Sequence, residues 1–290
     1  MKIKAYAKVN LALKVINKRE DGYHNLSTIM DLIDLYDVIY ISKCKEIRFS
    51  CNDKTLENDN NLILKAIRVI KEAYPSVSTY GASIKLIKNI PYGAGLGGGS
   101  SDAASVILAL NKIWKLGLSF EKLVQVALRV GSDVPFFLLK GLGILSGIGE
   151  NVNHIDSKTK LYYLLVLPGY PTSTKDVYEA NKIYSNDYTN IDNMIRGFHF
   201  DDKDMIVDNM INDLEEATIS INSEGPKIID IINDLDGLIK EKGIHAKAIM
   251  SGSGSTVFAA FKELNDAKII KDALSYKNYN VIITSSKRNA

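Results

Sequence analysis

The chain has 290 residues, 46% hydrophobic and 24% charged, which suits a globular protein with a full core in one large or two moderate domains. A net charge of +2, with the 36 Lys and Arg residues spread along the chain, gives no basic field for nucleic acid, and no window nears the roughly 18 apolar residues of a membrane span. Cys44 and Cys51, in polar surroundings, fit neither a zinc pair nor a disulfide framework, and the N-terminus carries no signal-type apolar stretch, so a reducing cytoplasm is the expected location.

The first element, MKIKAYAKVNLALKV, alternates as a strand. Ile3, Ala5, Ala7, Val9, Leu11, Leu13 and Val15 share one face; Lys2, Lys4, Tyr6, Lys8, Asn10 and Lys14 share the other. By pattern the second face is expected to be solvated, with Lys8 and Asn10 pointing the same way about 7 Å apart. DGYHNL at 21–26 reads as a turn displaying exposed Tyr23 and His24. GASIKLIKNIP, with Ala82, Ile84 and Leu86 alternating, reads as a strand.

PYGAGLGGGSSDAASVILAL, residues 91–110, follows. Ala103, Ala104, Ile107, Leu108 and Trp114 recur at helical spacing, and Ser100, Ser101 or Asp102 is a suitable cap. SFEKLVQVALRVG predicts a second helix with Ser119 as its cap and Gly131 as its stop. In GSDVPFFLLKG, Pro135 suits the first turn of a helix and places Ser132 or Asp133 at its cap; Asp133 is then either a plain cap or a working carboxylate. GLGILSGIGENVNHID reads as a glycine-punctuated hairpin, and the polar stretch at 156–160 marks a boundary between domains 1–157 and 158–290.

Beyond it, LYYLLVLPGYP restarts as a buried strand, DMIVDNMINDLEEATI reads as helical, and a helix is expected from Pro226 to Lys242, stopped by Gly243. Strands AKAIM and TVFAAF flank the glycine-serine loop MSGSGSTVF. A helix near 264–276 and a last strand, YNVIITS, complete an α+β sandwich.

The chemistry concentrates in the glycine run. Gly93, Gly95, Gly97, Gly98 and Gly99 lie between a strand and a helix start. A backbone so bare is kept where the chain takes positive φ or approaches a ligand closely, and helix N-termini attract anions, so a phosphate is the natural ligand. No Lys follows as a Walker A loop requires, and the element after the helix is a second helix rather than the strand and acidic residue that a dinucleotide fold needs.

AKVN at 7–10, DGYH at 21–24, PYGAGLGGGSSDAA at 91–104, GSDVPFF at 131–137 and SGSGSTVF at 251–258 occur in the order found in the GHMP kinase superfamily, which the chain resembles over nearly its whole length. The resemblance is to the branch that phosphorylates a cytidine diphosphate methylerythritol, for which DGYH with GSDVPFF is distinctive; homoserine or mevalonate kinases are the alternative within the superfamily. It implies a two-domain α+β fold with the active-site cleft between the domains, ATP and Mg2+. By it, Pro91, Tyr92, Gly93, Ala94, Gly95, Leu96, Gly97, Gly98, Gly99, Ser100 and Ser101 cradle the ATP phosphates, and Asn61 lies near the adenine. Lys8 and Asp133 match the catalytic pair. Asn10, Tyr23, His24, Thr174, Tyr178, Gly252 and Ser253 match substrate contacts. Ser100 and Ser101 are both eligible to hold the metal. Residues 185–225 match nothing distinctive, and oligomeric state has no signature in the chain.

Overall fold

The computed structural model describes residues 1–139, 141–221 and 227–288. β1 (Lys2–Lys18) and β2 (His24–Cys44) pair antiparallel along almost their full lengths, the chain reversing at Gly22, which takes φ +85°. β3 (Ile47–Cys51) runs parallel to β4 (Gly81–Ile87), and β4 lies against residues 38–44 of β2. β5 (Leu142–Gly147) takes the same edge of β2 at residues 26–31 and forms a hairpin with β6 (Asn151–His154). Three helices, α1 (Leu62–Ala73), α2 (Gly98–Ile113) and α3 (Phe120–Val130), pack on this sheet: Ile63, Ile67, Ile107, Leu110 and Leu123 share one core with Ile39, Ile41 and Ile84.

β7 (Tyr162–Leu167) opens a second sheet, and α4 (Thr174–Ala180), α5 (Thr189–Phe200) and α6 (Lys203–Asp208) follow it. Next come β8 (Ile211–Asn212), α7 (Glu215–Ile221), α8 (Ile228–Glu241), β9 (Lys247–Met250), β10 (Val257–Phe261), α9 (Leu264–Ala273) and β11 (Asn280–Ser285). The second sheet has the order β11-β7-β10-β9, antiparallel throughout. One face of it packs on α8 and α9 through Leu164, Val166, Ile231, Leu235 and Ile270. Its other face, with Tyr163, Leu165 and Phe258, shares a core with Ala7, Val9, Leu11 and Ile29 of the first sheet. The fold is α+β. The connection between β6 and β7 contains position 157, yet β8 returns from beyond it to pair with β1.

Three expectations are corrected by this packing. The apolar face of β1 is not continuous: its register with β2 shifts between Tyr6 and Ala7, so Ala5 belongs to the helix-side core and Ala7, Val9 and Leu11 to the core between the sheets. One irregularity exchanges the faces of a strand, and Lys8 and Asn10 are therefore buried rather than solvated. The run DMIVDNMINDLEEATI is not one helix, because β8 interrupts it at Ile211 and Asn212 where backbone pairing to β1 is available. His24 is 7% exposed, inside the start of β2, whereas Tyr23 is exposed at 60%. The expected helix from Pro226 begins at Ile228 within the described residues; Pro226 itself lies outside them.

The corner between β4 and α2 is pinned by charge. Lys88 is ion-paired with Asp37 of β2 and lies 3.0 Å from Asp102 of α2. Asp37, fully buried, also accepts from the Ile90 N–H at 2.8 Å. Burial, reinforced by the Asp37 charge, pushes the Asp102 carboxyl up to about 8 against the pull of Lys88. Its folded value lies above the unfolded one, so the native state holds the extra proton and stability falls as pH rises towards about 8. Asp102→Asn, which cannot ionise, should escape this loss. Melting curves at pH 6 and pH 9 should therefore show the variant gaining on the parent by several degrees, on the order of 1–3 kcal/mol; an equal shift in both proteins would show that Asp102 is ionised throughout.

Candidate active site

The glycine run forms one wall of a cleft of about 710 Å³ whose other walls come from β1, the Ser132–Asp133 turn, residues 171–174, Tyr178 and the loop between β9 and β10. α2 starts at Gly98, earlier than the serines, because Gly97 takes the left-handed conformation at its N-cap, φ +68°. No side chain caps it. Ser100, Ser101 and Asp102, expected as caps, lie inside the first turns instead. The leading N–H groups of a helix have no partner within it; here they open on the cleft, where the macrodipole favours an anion.

At Gly95 and Gly97 lack of space acts together with positive φ. A Cβ on Gly97 would lie 2.6 Å from Phe137 Cζ and 3.1 Å from Lys8 Cε; one on Gly95 would lie 2.1 Å from the Ser251 carbonyl. The loop is thus pressed between β1 and the β9–β10 loop. Hydrogen bonds hold it there: Lys8 N–H donates to Leu96 O at 3.0 Å, Thr256 N–H to Ala94 O at 3.2 Å, and Ser251 Oγ to Gly95 O at 3.0 Å.

Lys8 stands at the centre. Its ammonium donates to Asn10 Oδ1 and, at 2.8 Å, to Gly95 O, and lies 3.7 Å from Asp133 Oδ2. Asn10 is itself oriented, since its Nδ2 donates to Thr28 Oγ1 at 2.9 Å and that hydroxyl donates to Ala12 O at 2.7 Å. The side chain of Lys8 is 3% exposed and that of Asp133 39%. Burial holds the Lys8 ammonium below the ordinary lysine range, and Asp133 pulls it back up. Asp133 does not cap a helix. The element after it is a single 3-10 turn, Pro135–Leu138, whose N-cap is Val134 and which carries no side-chain cap.

A second cavity of about 530 Å³ adjoins the first, sharing Ser132, Thr174 and Tyr178 and adding Tyr23, His24, Leu26 and Ile148. The His24 ring lies 5.2 Å from that of Tyr178 and stacks on Tyr184 at 6.1 Å. Burial, and then Lys18, hold its imidazole below the ordinary histidine range, and His24 Nε2 is buried without a protein partner. Burial, and then the Asp133 charge, raise the Tyr178 phenol above its usual range. Thr174 Oγ1 meets Ser253 Oγ at 2.9 Å, tying the two cavities' walls together.

Most residues singled out in the sequence converge here, and a few do not. Pro91, Tyr92, Gly93, Ala94, Gly95, Gly97, Gly98, Gly99 and Ser100 line the cleft with Gly252 and Ser253. Leu96 is buried in the inter-sheet core and contributes its carbonyl to Lys8 N–H, and Ser101 is buried on the far side of α2. Asn61 caps α1, accepting from Ile63 N–H and donating to Leu56 O, both at 2.9 Å, so its side chain is occupied; Leu62 beside it reaches the cleft. Residues 171–173 and Leu13, which also line it, carry no motif that would have marked them.

The GHMP kinases N terminal domain matches residues 61–141 and the GHMP kinases C terminal region matches residues 182–280. A 4-diphosphocytidyl-2-C-methyl-D-erythritol kinase of Clostridium beijerinckii is 41% identical over 98% of this chain and 99% of its own. The crystal structure of a 4-(cytidine 5'-diphospho)-2C-methyl-D-erythritol kinase superposes with a TM-score of 0.78 at 29% identity, covering 99% of each chain. A homoserine kinase from Cytophaga hutchinsonii, at 18% identity and a TM-score of 0.72 over 98% of this chain and 95% of that one, shares the fold.

The two classes of glycine predict different outcomes. At Gly97 an added methyl meets both positive φ and the Phe137 ring, whereas at Gly99 it meets only Leu62 Cδ1 at 3.5 Å, an ordinary contact. Calorimetry should show Gly97→Ala weakening ATP binding by about tenfold or more, in line with a loss of over 1.4 kcal/mol, and Gly99→Ala changing it far less. Equal effects at the two positions would remove the loop from the phosphate site.

Proposed function

The chain belongs to the GHMP kinases, in the 4-diphosphocytidyl-2-C-methyl-D-erythritol kinase family, and we propose that it transfers the γ-phosphoryl group of ATP to the 2-hydroxyl of 4-diphosphocytidyl-2-C-methyl-D-erythritol, a step of the non-mevalonate isoprenoid pathway carried out in the cytoplasm. The carrying observation is the sequence of walls along one continuous cleft: an uncapped helix start, then the Lys8–Asp133 pair, then a ring-lined cavity. Phosphates fit the first, a cytosine the last, and the hydroxyl that links them falls at the pair.

Asp133 accepts the proton of the attacking hydroxyl. Its carboxylate is part-exposed to the cleft and free of any capping duty, as a base must be. Lys8 offsets charge on the transferring group; placed by Asn10 and Gly95 O, it needs little reorganisation as that charge develops. In the second cavity, the neutral His24 edge and the Tyr178 ring give a base a hydrogen-bond partner and a stacking face. A homoserine or mevalonate acceptor would leave this cavity without an occupant.

Mg2+ is the expected metal. Among the described residues no cluster of three or more His, Cys, Asp or Glu could enclose a cation, which suits an ion held largely by nucleotide phosphates and water. Ser100, which lines the cleft where the buried Ser101 does not, would offer such an ion a hydroxyl. When bound, the ion neutralises charge between the phosphates. We propose two functional halves, residues 1–157, which carry the glycine run and the Lys8–Asp133 pair, and residues 158–290, which carry Tyr178 and the Gly252 loop.

Coupled turnover against the cytidine substrate, methylerythritol 4-phosphate, mevalonate and homoserine tests the assignment; activity on the first alone supports it, and preference for another acceptor contradicts it. In the same assay Asp133→Asn should stay folded and bind both substrates while kcat falls at least about a hundredfold. Lys8→Met should behave likewise, and the double variant should lose little more than the worse single. Near-normal turnover in folded Asp133→Asn protein would dismiss the base. Tyr178→Ala should raise KM for the cytidine substrate about tenfold, with KM for ATP nearly unchanged, as base stacking is worth about 1–3 kcal/mol; an unmoved KM would place the cytosine elsewhere.

A further inference from the structure

Residues 212–215, Asn-Asp-Leu-Glu, lie in the stretch where the sequence shows no distinctive match, and all three polar members are engaged with the site's supports. β8 pairs parallel with β1, setting Ile211 beside Ala12 and Asn212 beside Leu13. Asp213 N–H donates to Leu13 O at 2.9 Å, and Asp213 Oδ2 accepts from Val15 N–H at 2.9 Å, so the segment is fastened to the strand that carries Lys8 and Asn10. Glu215 Oε2 accepts from Met250 N–H at 3.0 Å, at the end of β9.

Asn212 makes the closest link. Its Nδ2 donates to Met250 O and to Gly252 O, each at 2.8 Å, and its Oδ1 accepts from Leu214 N–H at 3.0 Å. Both sides of the buried amide are therefore used. Gly252 takes φ +58°, and a Cβ there would lie 3.1 Å from Lys8 Nζ, 3.2 Å from Asn10 Oδ1 and 3.4 Å from Gly95 O. Gly252 is thus the lid of the Lys8 site, and its carbonyl is held from outside by Asn212. Thr218 Oγ1 donates to Leu214 O at 3.0 Å and lies 3.3 Å from Ser253 O, so its single proton serves the helix first.

We infer that Asn212 is a positioning residue for phosphoryl transfer: it holds the Gly252 carbonyl so that Gly252 closes over the Lys8 ammonium and keeps that ammonium directed at Asp133. It touches no substrate. It acts through the backbone of the β9–β10 loop, and its role rests on the kinase reading given above.

Asn212→Asp separates this from a merely structural part. Aspartate retains the oxygen that accepts from Leu214 N–H, and so the turn into α7, but sets an acceptor in place of the donor to Met250 O and Gly252 O. Two readouts follow, one of which needs no substrate. Amide hydrogen exchange across residues 250–255 should quicken at least about tenfold while α2 keeps its protection. In steady-state kinetics kcat should fall at least about tenfold with KM for ATP within about threefold, since the loop bears on Lys8 more than on the phosphate wall. Unchanged exchange in the loop, or unchanged kcat in a variant whose loop has loosened, overturns the proposal. If Asn212→Asp does not fold, Asn212→Ser, whose hydroxyl stops one bond short of the amide nitrogen, carries the test: faster loop exchange with kcat at least halved supports the clamp, and wild-type values of both refute it. If the wild-type chain prefers another acceptor, the substrate reading fails by itself, and the ratio of variant to wild-type kcat on that acceptor still measures the clamp.

Discussion

An ammonium group shut away from water has to be held by its surroundings, and the burial of Lys8 is the constraint from which the rest of this site follows. Removing a charge from water costs several kcal/mol in a real protein unless partners replace the hydration shell. For Lys8 the partners are a side-chain amide, a backbone carbonyl of the glycine run and a carboxylate at 3.7 Å. Each of these is itself constrained. Asn10 is turned by Thr28, Gly95 can approach only because it lacks a Cβ, and Asp133 comes from a turn spared from capping. The pairing with Asp133 is loose and leaves that carboxylate part-exposed to the cleft, as the proposed proton acceptor requires.

The same demand explains why two glycine loops from distant parts of the chain lie back to back. Ala94 and Gly95 receive hydrogen bonds from Thr256 and Ser251, and Gly252 covers Lys8 where any side chain would intrude. The two loops are thus a single packed unit. Both loops reach the Lys8 ammonium between them, so on the proposed reading both halves of the chain would bear on the transfer although Lys8 and Asp133 come from the first.

Motif and periodicity reached different depths. The glycine run with its flanking strand and helix was legible because close backbone approach and anion binding restrict residue type strongly, whereas Lys8, Asp133 and the β9–β10 loop stood out only through the family resemblance, since their own patterns read as a solvated face, a cap or carboxylate, and a turn. The burial of Lys8 was not legible. Alternation along β1 assigns it to the polar face, and only the register shift between Tyr6 and Ala7, a property of pairing with β2, turns it inward. His24 was hidden in the same way, since a turn that looks exposed ends one residue before it and β2 then carries the ring inside. Asn212 was masked by its neighbours: the apolar spacing through Ile206, Val207, Met210 and Leu214 mimics a helix, while the pairing that makes two residues a strand lies on β1, some two hundred positions away. Asn61, singled out by position near the adenine, proves to have a structural duty as well, its side chain capping its own helix while Leu62 beside it lines the cleft.

The most direct measurement of this account is the titration of Lys8 itself, followed by NMR in protein carrying carbon-13 at the lysine ε position, with Lys8→Met used to assign the resonance. The account predicts that Lys8 titrates below the ordinary lysine range, because burial outweighs its partners, and that removing the neighbouring charge in Asp133→Asn lowers it further. A Lys8 that titrates at or above the value of exposed lysines, or one indifferent to the loss of Asp133, would contradict it.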